Sequence, residues 1–272
     1  MSEAGVADYQ SEILEYLARY ELASVEDLSR YLKVSPSTIR RHLAQLQDKG
    51  LIVRTHGGAT LPHPIRYDPQ FDSRASRQAE AKHLIALAAR SLVSPNQVIG
   101  ISGGTTCTEF SRLIRGVKNL TVVTNAVNVA MELRGAENMR VLLTGGLLNQ
   151  NSYELIGNLV TETLKNVHLD VAFLGVSGID LSFGFSMSDE SEAVAGRAFM
   201  NSASRTVILA DHTKIGKTTF ARLCAINEVH LLITDEGITS QQLTALKKTG
   251  LKVWVVSSRD ELMRKNIQCE GM

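Results

Sequence analysis

The stretch Val34-Ser35-Pro36-Ser37-Thr38-Ile39-Arg40-Arg41-His42-Leu43-Ala44-Gln45-Leu46-Gln47-Asp48-Lys49-Gly50-Leu51-Ile52-Val53-Arg54-Thr55-His56-Gly57-Gly58 combines a sharp turn, a capped helix with two arginines and a short basic ribbon. Ser35 stands where an N-cap belongs, and Pro36 takes the first helical position, where its missing N–H removes a group without an intrahelical partner. Ile39, Leu43 and Leu46 fall on one face of that helix. Thr38, Arg41 and Gln45 fall opposite, flanked by Ser37 and Arg40. The segment before it fits. Ser24 and Asp27 have the spacing of a weak capping box, Val25, Leu28 and Leu32 give the next helix an inner face, and Ile13, Leu14 and Leu17 do the same for an earlier one. Three helices and a ribbon within residues 1–60 predict a winged helix-turn-helix, the order of parts that sets one helix into a DNA groove with a wing beside it. The bland alternative is a helical hairpin with a solvated, charged outer face.

Charge placement favours DNA. Residues 1–60 carry seven Lys/Arg and eight Asp/Glu, yet from Lys33 to His56 five cations face one acid, Asp48. The acids crowd the first two helices at Glu12, Glu15, Glu21, Glu26 and Asp27. That asymmetry turns one side toward phosphates and the other away. The candidate DNA contacts are Ser35, Ser37, Thr38, Arg40, Arg41, His42 and Gln45 on the helix, with Arg54, His56 and Gly57 on the ribbon.

The chain has 272 residues, enough for one to two domains, with 44% hydrophobic and 21% charged residues and a formal charge of +1. No apolar run reaches the length of a membrane helix, and Met-Ser-Glu-Ala-Gly at the start lacks the basic-then-apolar pattern of a secretory signal. The expectation is a cytoplasmic protein with no membrane partner. Cys107, Cys224 and Cys269 are odd in number and far apart, and His63, His83, His168 and His230 show no ligand spacing, so neither a disulfide framework nor a metal site is expected. Cys107 follows a glycine-rich loop but has no nearby His as base, and Trp254 reads as core.

Pro62, Pro64 and Pro69 force extended backbone and mark residues 61–76 as a hinge between the DNA-binding domain (1–60) and a second domain (77–272). That domain opens with an amphipathic helix over 77–93. Short apolar runs then alternate with helical stretches: Val98–Ile101, Leu120–Val123, Val141–Leu143, Val171–Leu174, Val207–Ala210, His230–Ile233 and Val253–Val256. Such runs, apolar without alternation, are strands covered on both faces and joined by crossover helices, so the fold class is α/β with a mostly parallel sheet.

Most of those strands end in small or polar residues, where open parallel sheets bind ligands. Ser102-Gly103-Gly104-Thr105-Thr106, leading into a helix over Cys107 to Ile114, is the best phosphate cradle: it offers free amides, hydroxyls and a helix N-terminus. It is neither a Walker A loop nor a full dinucleotide fingerprint, so no cofactor is expected. Thr124 and Asn125, Gly145 and Gly146, Asp180, Asp211 and Lys214 complete the candidate effector site. Lys214 would supply a counter-charge and Asp180 would accept from hydroxyls. Their ordinary alternatives are a solvated loop lysine and a turn-forming aspartate.

These segments together resemble the DeoR family of bacterial sugar-metabolism regulators. The matching pieces are Thr38-Ile39-Arg40-Arg41, Arg54-x-His56-Gly57-Gly58-Ala59, Gly104-Thr105-Thr106, Val123-Thr124-Asn125, Thr144-Gly145-Gly146 and Ala210-Asp211-His212-x-Lys214, in that order. The resemblance implies a winged-helix repressor of a carbohydrate operon. It also implies a C-terminal sensor similar to ribose-5-phosphate isomerase, in which a phosphorylated sugar or related metabolite lowers operator affinity. Three positions depart from the family pattern: His42 replaces an Asp, Ser102 an Asp that is often present, and Gly196 a common Lys. Operator DNA is then the macromolecular partner. A homodimer or homotetramer built through 77–272 is expected, because winged-helix proteins read paired half-sites. The competing class is a sugar-phosphate isomerase-like enzyme carrying a DNA-binding module. It would need a general acid/base pair, and the sequence assigns none.

Overall fold

The computed structural model describes residues 3–20, 22–49, 51–55, 57–60 and 71–257. By contact the chain divides into two compact units, residues 1–74 and 75–272. His56 and residues 61–70, which hold the hinge prolines, lie outside the described residues.

In the first unit, α1 (Glu3–Tyr20) leads through β1 (Leu22–Ser24) to α2 (Val25–Leu32), α3 (Pro36–Asp48), β2 (Val53–Thr55) and β3 (Gly58–Thr60). Both helix starts follow from their caps. The Ser24 hydroxyl accepts the Asp27 N–H and the Asp27 carboxylate accepts the Ser24 N–H, a complete capping box. Ser35 accepts the Thr38 N–H at 3.2 Å ahead of Pro36. Lys33, left-handed at φ 54°, ends α2 and opens the turn. Ile13, Leu14, Leu17, Leu28, Ile39, Leu43 and Leu46 form one buried core, each worth roughly 1.5–3 kcal/mol on burial. The ribbon gains a third strand that the sequence reading lacked. β1 pairs with β3 in the order β1-β3-β2, and a Cβ on Gly58 would stand 2.1 Å from the Ala23 carbonyl oxygen.

Residues 71–76 were expected within an extended hinge; instead Phe71–Ser76 form a short helix, α4. The proline restriction ends at Pro69. The following helix, α5 (Ala79–Arg90), is shorter than expected and begins after Gln78 in a left-handed conformation.

From there run β4 (Val98–Ile101), α6 (Thr105–Leu113), β5 (Leu120–Thr124), α7 (Val127–Leu133), β6 (Met139–Leu143), β7 (Leu147–Asn149), β8 (Glu154–Ile156), α8 (Asn158–Lys165) and β9 (Val171–Gly175). They are followed by β10 (Gly178–Asp180), β11 (Gly184–Met187), α9 (Glu190–Ser202), β12 (Thr206–Leu209), β13 (Ala221–Cys224), β14 (Leu231–Asp235), α10 (Ser240–Lys248) and β15 (Val253–Val256). The seven apolar runs become one parallel sheet, ordered β15-β14-β12-β9-β4-β5-β6. Alternate residues serve two cores. Ile99, Ile101, Val122, Phe173 and Leu209 pack with α5 and α6, while Val123, Ala172, Leu174, Ile208 and Leu232 pack with α8, α9 and α10. Two covered faces are why these strands read as unbroken apolar runs.

The edge strand β6 breaks that rule. Val141, Leu142 and Leu143 are each about two-fifths exposed, and Leu147, Leu148 and Leu159 beside them are also exposed. Among the described residues no helix is long and apolar enough to cross a membrane.

The chain enters the sheet at β4, moves outward to β6, then returns to β9 on the other side of β4. The winding direction therefore reverses between β4 and β9. In open α/β sheets the ligand crevice lies at that reversal, at the carboxyl ends of the strands.

Candidate DNA interface and candidate ligand site

On α3 the outward residues are Ser37, Arg40, Arg41 and Gln45, all exposed, with Ser35 exposed and Thr38 half-buried at its start. The Ser35 hydroxyl bonds those of Ser37 and Thr38 at 2.8 and 2.9 Å, so a cluster of hydroxyls fronts the helix N-terminus. Gln45 is tied down: its side-chain oxygen accepts from Gln10 at 2.7 Å, and Lys49 bonds the same Gln10 at 2.9 Å. In the ribbon, Arg54 is half-buried opposite Ala59, and Gly57 turns the wing tip at φ +87°.

His42 is a correction. It is 1% exposed, with its ring 5.7 Å from that of Tyr9. It stands three residues after Ile39 and one before Leu43, on the inner flank of the stripe. Burial, then the charge of Arg41, hold its pKa below the usual histidine value. It belongs to the core of the unit and does not face DNA.

At the sheet reversal, Ser102 is buried and joins β4 to β9. Its N–H donates to the Phe173 carbonyl at 3.1 Å, and its hydroxyl accepts the Gly175 N–H at 3.1 Å. Gly104, at φ +102°, caps α6, which begins at Thr105 rather than Cys107, and no side chain caps that end. The first-turn amides of α6 thus remain open to an anion. Gly103 has no room for a side chain because Glu154 lies on it: a Cβ there would stand 2.3 Å from Glu154 Cγ. Glu154 is 3% exposed and accepts from Asn125 Nδ2 at 3.0 Å. The same amide donates to the Leu155 carbonyl at 3.0 Å. Ser102, Gly103, Gly104, Thr105, Thr106 and Asn125 are therefore gathered in one place, with Glu154 as a member that the sequence reading missed.

Burial, and then the Glu154 charge, push the Cys107 thiol up to about 12. It stays protonated at neutral pH and is no nucleophile.

Several other candidates also hold the fold together. The Thr124 hydroxyl donates to the Ile101 carbonyl at 2.7 Å and accepts the Ala126 N–H at 3.1 Å, which stitches β5 to β4. Asp180 caps its own hairpin: one carboxylate oxygen accepts from the Ser182 N–H and hydroxyl and from the Phe183 N–H. The Phe183 and Ser182 bonds hold its pKa below the usual carboxylate range. These bonds are the turn-forming use of the residue. Gly146 lets β8 approach, since a Cβ there would meet the Ile156 carbonyl oxygen at 2.6 Å, and a Cβ on Gly145 would meet Leu159 at 3.2 Å. Asp211 is buried and caps the 3-10 turn His212–Lys214 by accepting from the Thr213 N–H and hydroxyl.

Lys214, half-buried, ends that turn two strands from β4, roughly 10 Å away across the sheet. The turn is pinned by a pair that was not anticipated. His212 donates its N–H to Asp235 at 2.7 Å, and its Nδ1 bonds the same carboxylate at 2.6 Å. A second unanticipated pair is Asn149 to Glu192, at 3.0 Å. Where the resemblance leads one to expect a lysine, Gly196 is faced by Leu223, whose Cδ1 would lie 2.7 Å from a Cβ. No group of His, Cys, Asp and Glu among the described residues has the arrangement of a metal site.

The family profile of the DeoR-like helix-turn-helix domain matches residues 10–64, and that of the DeoR C terminal sensor domain matches residues 77–236. Together they define a helix-turn-helix transcription regulator with an attached sensor, not an enzyme. The chain belongs to the DeoR family. It is 32% identical to the HTH-type transcriptional repressor GlcR of Bacillus subtilis, over 93% of this chain and 98% of that one. It is also 32% identical to the glycerol-3-phosphate regulon repressor of Escherichia coli K12, over 82% and 88%. Among solved structures, ribose 5-phosphate isomerase A of Methanocaldococcus jannaschii aligns over 50% of this chain and 54% of its own, at 18% identity and a TM-score of 0.37. That partial likeness says nothing about activity.

Proposed function

We propose that this protein represses a carbohydrate-metabolism operon from the cytoplasm, and that a phosphorylated sugar bound at the sheet reversal releases it from the operator. The observation that carries the reading is the uncapped α6 N-terminus behind Gly104, set beside the β4–β9 crevice. The names of two relatives, a repressor of a glycerol-3-phosphate regulon and the repressor GlcR, agree with it. In this reading the amides of Gly104–Thr106 hold the phosphate, Lys214 supplies counter-charge, and Asn125 meets the sugar. Arg40, Arg41 and Arg54 contact the operator. The segment 61–76 transmits the change between sensor and DNA-binding unit.

The protein acts as a homodimer or a pair of dimers. Its contact surface is the open edge of β6 with the neighbouring β7, occupied by a second copy. Parallel-sheet edges are ordinarily covered or charged. β6 carries one exposed charge, Arg140, at its start, while Val141 to Leu148 contains none, so a two-fold copy that sets these uncharged stretches against each other meets no like charge there.

The test is a thermal-shift screen against phosphorylated sugars, followed by operator-binding assays with each ligand that raises the melting temperature. A ligand that stabilises the protein and weakens DNA binding supports the reading. Stabilisation without any effect on DNA contradicts it.

A further inference from the structure

Three side chains at the seam between α1 and α3 form a hydrogen-bond chain whose direction is set by chemistry alone. The Lys49 ammonium can only donate, and it donates to Gln10 Oε1 at 2.9 Å. The Gln10 amide nitrogen is thereby turned toward Gln45 and donates to Gln45 Oε1 at 2.7 Å. Flipping Gln10 would set its NH2 against the ammonium, so the orientation is fixed. His42, three residues before Gln45, also acts as a donor toward it, since their contact favours the charged imidazole. Gln45 Oε1 therefore faces donors. Its amide nitrogen, on an exposed side chain, bonds nothing among the described residues. What Gln45 offers outward is a pair of N–H donors and no acceptor.

Gln45 and Lys49 are four residues apart and share one face of the helix. Asp48, the single acid on α3, lies about 100° away around the axis from Lys49. A recognition helix touches base edges with its N-terminal residues, whereas Gln45 stands in the third turn after Pro36 and Lys49 at the C-cap. Adenine read by glutamine needs an acceptor as well as a donor. A phosphate oxygen needs donors alone.

We infer that Gln45 Nε2 and Lys49 Nζ clamp one phosphate of the DNA backbone, and that Gln10 on α1 is the positioning residue that aims the Gln45 amide at it. This rests on α3 being the helix set into DNA and is independent of the ligand site in the second unit. The clamp adds affinity and fixes the register of α3 without reading sequence.

The experiment uses the full-length protein, a DNA fragment that it selects from a random pool and a scrambled fragment, at several salt concentrations. Gln45→Ala should weaken binding to both fragments by about three- to tenfold and leave the salt dependence unchanged. Lys49→Ala should weaken both and lower the slope of log affinity against log salt by about one. Gln10→Glu accepts from Lys49 and draws the Gln45 nitrogen inward, so the Gln45 oxygen turns to the phosphate. It should cost about tenfold or more, but about threefold or less in a Gln45→Ala background, where only its added charge acts. Melting temperatures should stay near that of wild type, a result that separates positioning from folding. Should Gln10→Glu fail to fold, Gln10→Met replaces it in the cycle, with a loss of about threefold that vanishes in the Gln45→Ala background. Gln45→Ala binding as wild type does, or losing affinity for the selected fragment alone, would overturn the inference. So would a Gln10 effect of equal size in both backgrounds. Arg41→Ala, measured in parallel, separates the two levels. A loss there with none at Gln45 overturns the clamp alone, and no loss at either overturns the placement of α3 on DNA as well.

Discussion

Gly103 and Glu154 exclude each other's alternatives: a Cβ on Gly103 would stand 2.3 Å from Glu154 Cγ and 2.4 Å from its Oε1. Gly103→Ala is therefore expected to destabilise the second unit by roughly 1–3 kcal/mol, the usual effect of overpacking. In a Glu154→Ala background the same change should cost less than about 0.5 kcal/mol, because the obstructing side chain is gone. A double-mutant cycle by denaturant unfolding reads the coupling. Additive effects would mean that the loop relaxes away from Glu154 freely.

On α3, exposed Arg40 and Arg41 stand opposite buried Ile39 and Leu43. Arg41→Ala should leave the melting temperature nearly unchanged and weaken operator binding. The loss is about 1–3 kcal/mol for one sequence if the side chain reads guanine, or a uniform loss with a flatter salt dependence if it holds phosphate. Ile39→Ala should instead lose about 2–5 kcal/mol of stability. Fluorescence anisotropy at several salt concentrations separates the two.

His42 gives the DNA-binding unit a pH dependence of known sign. Burial first, and Arg41 second, depress its folded-state pKa. The unfolded chain takes up a proton near pH 6.5, which the folded unit resists until lower pH. The contribution to stability is whole above that pH and falls as pH drops below it. Proton NMR of the His42 ring should show a titration midpoint below the free-histidine value, and His42→Leu should flatten the loss of stability between pH 7 and 5.5. A midpoint at or above the free value would contradict the burial.

The parallel sheet was legible because both faces of Val98–Ile101, Val171–Leu174 and their neighbours are covered, so every position is apolar. The same logic hid the exposure of β6, whose Val-Leu-Leu reads as core yet lies on an open edge. Sequence cannot tell a strand covered by helices on both faces from one at an open edge. β7 and β8, three residues each, are too short for periodicity to register. Glu154 was lost with them, although a lone acid in Ser152-Tyr153-Glu154-Leu155-Ile156-Gly157, soon after a strand-end loop, was available as a signal. His42 was misplaced because its position beside the paired arginines outweighed its angle on the helix. Asp180 and Asp211 stand at strand ends, where aspartates serve as ligand groups or as turn caps, and their capping bonds could not be foreseen from sequence.

The β6 edge predicts its own disruption. If the proposed two-fold contact forms there, Leu142→Asp puts a buried charge in it and yields monomers by light scattering at micromolar concentration. The secondary structure should be retained, and operator affinity should fall because paired half-sites are no longer read together. An unaltered oligomer would place the contact elsewhere on residues 77–272.

The account turns on one coupling, between the phosphate loop and the DNA-binding helix. The direct measurement titrates a DNA fragment, selected by the protein itself from a random pool, with and without a saturating sugar phosphate, and then titrates the sugar phosphate with and without that DNA. Linkage requires both affinities to fall by the same factor, typically 5–150-fold (about 1–3 kcal/mol). Lys214→Ala should abolish the effect while apo DNA binding persists, and the sugar phosphate should be recovered unconverted. Turnover at an enzyme-like rate, or a ligand that binds tightly and leaves DNA affinity untouched, would contradict the account.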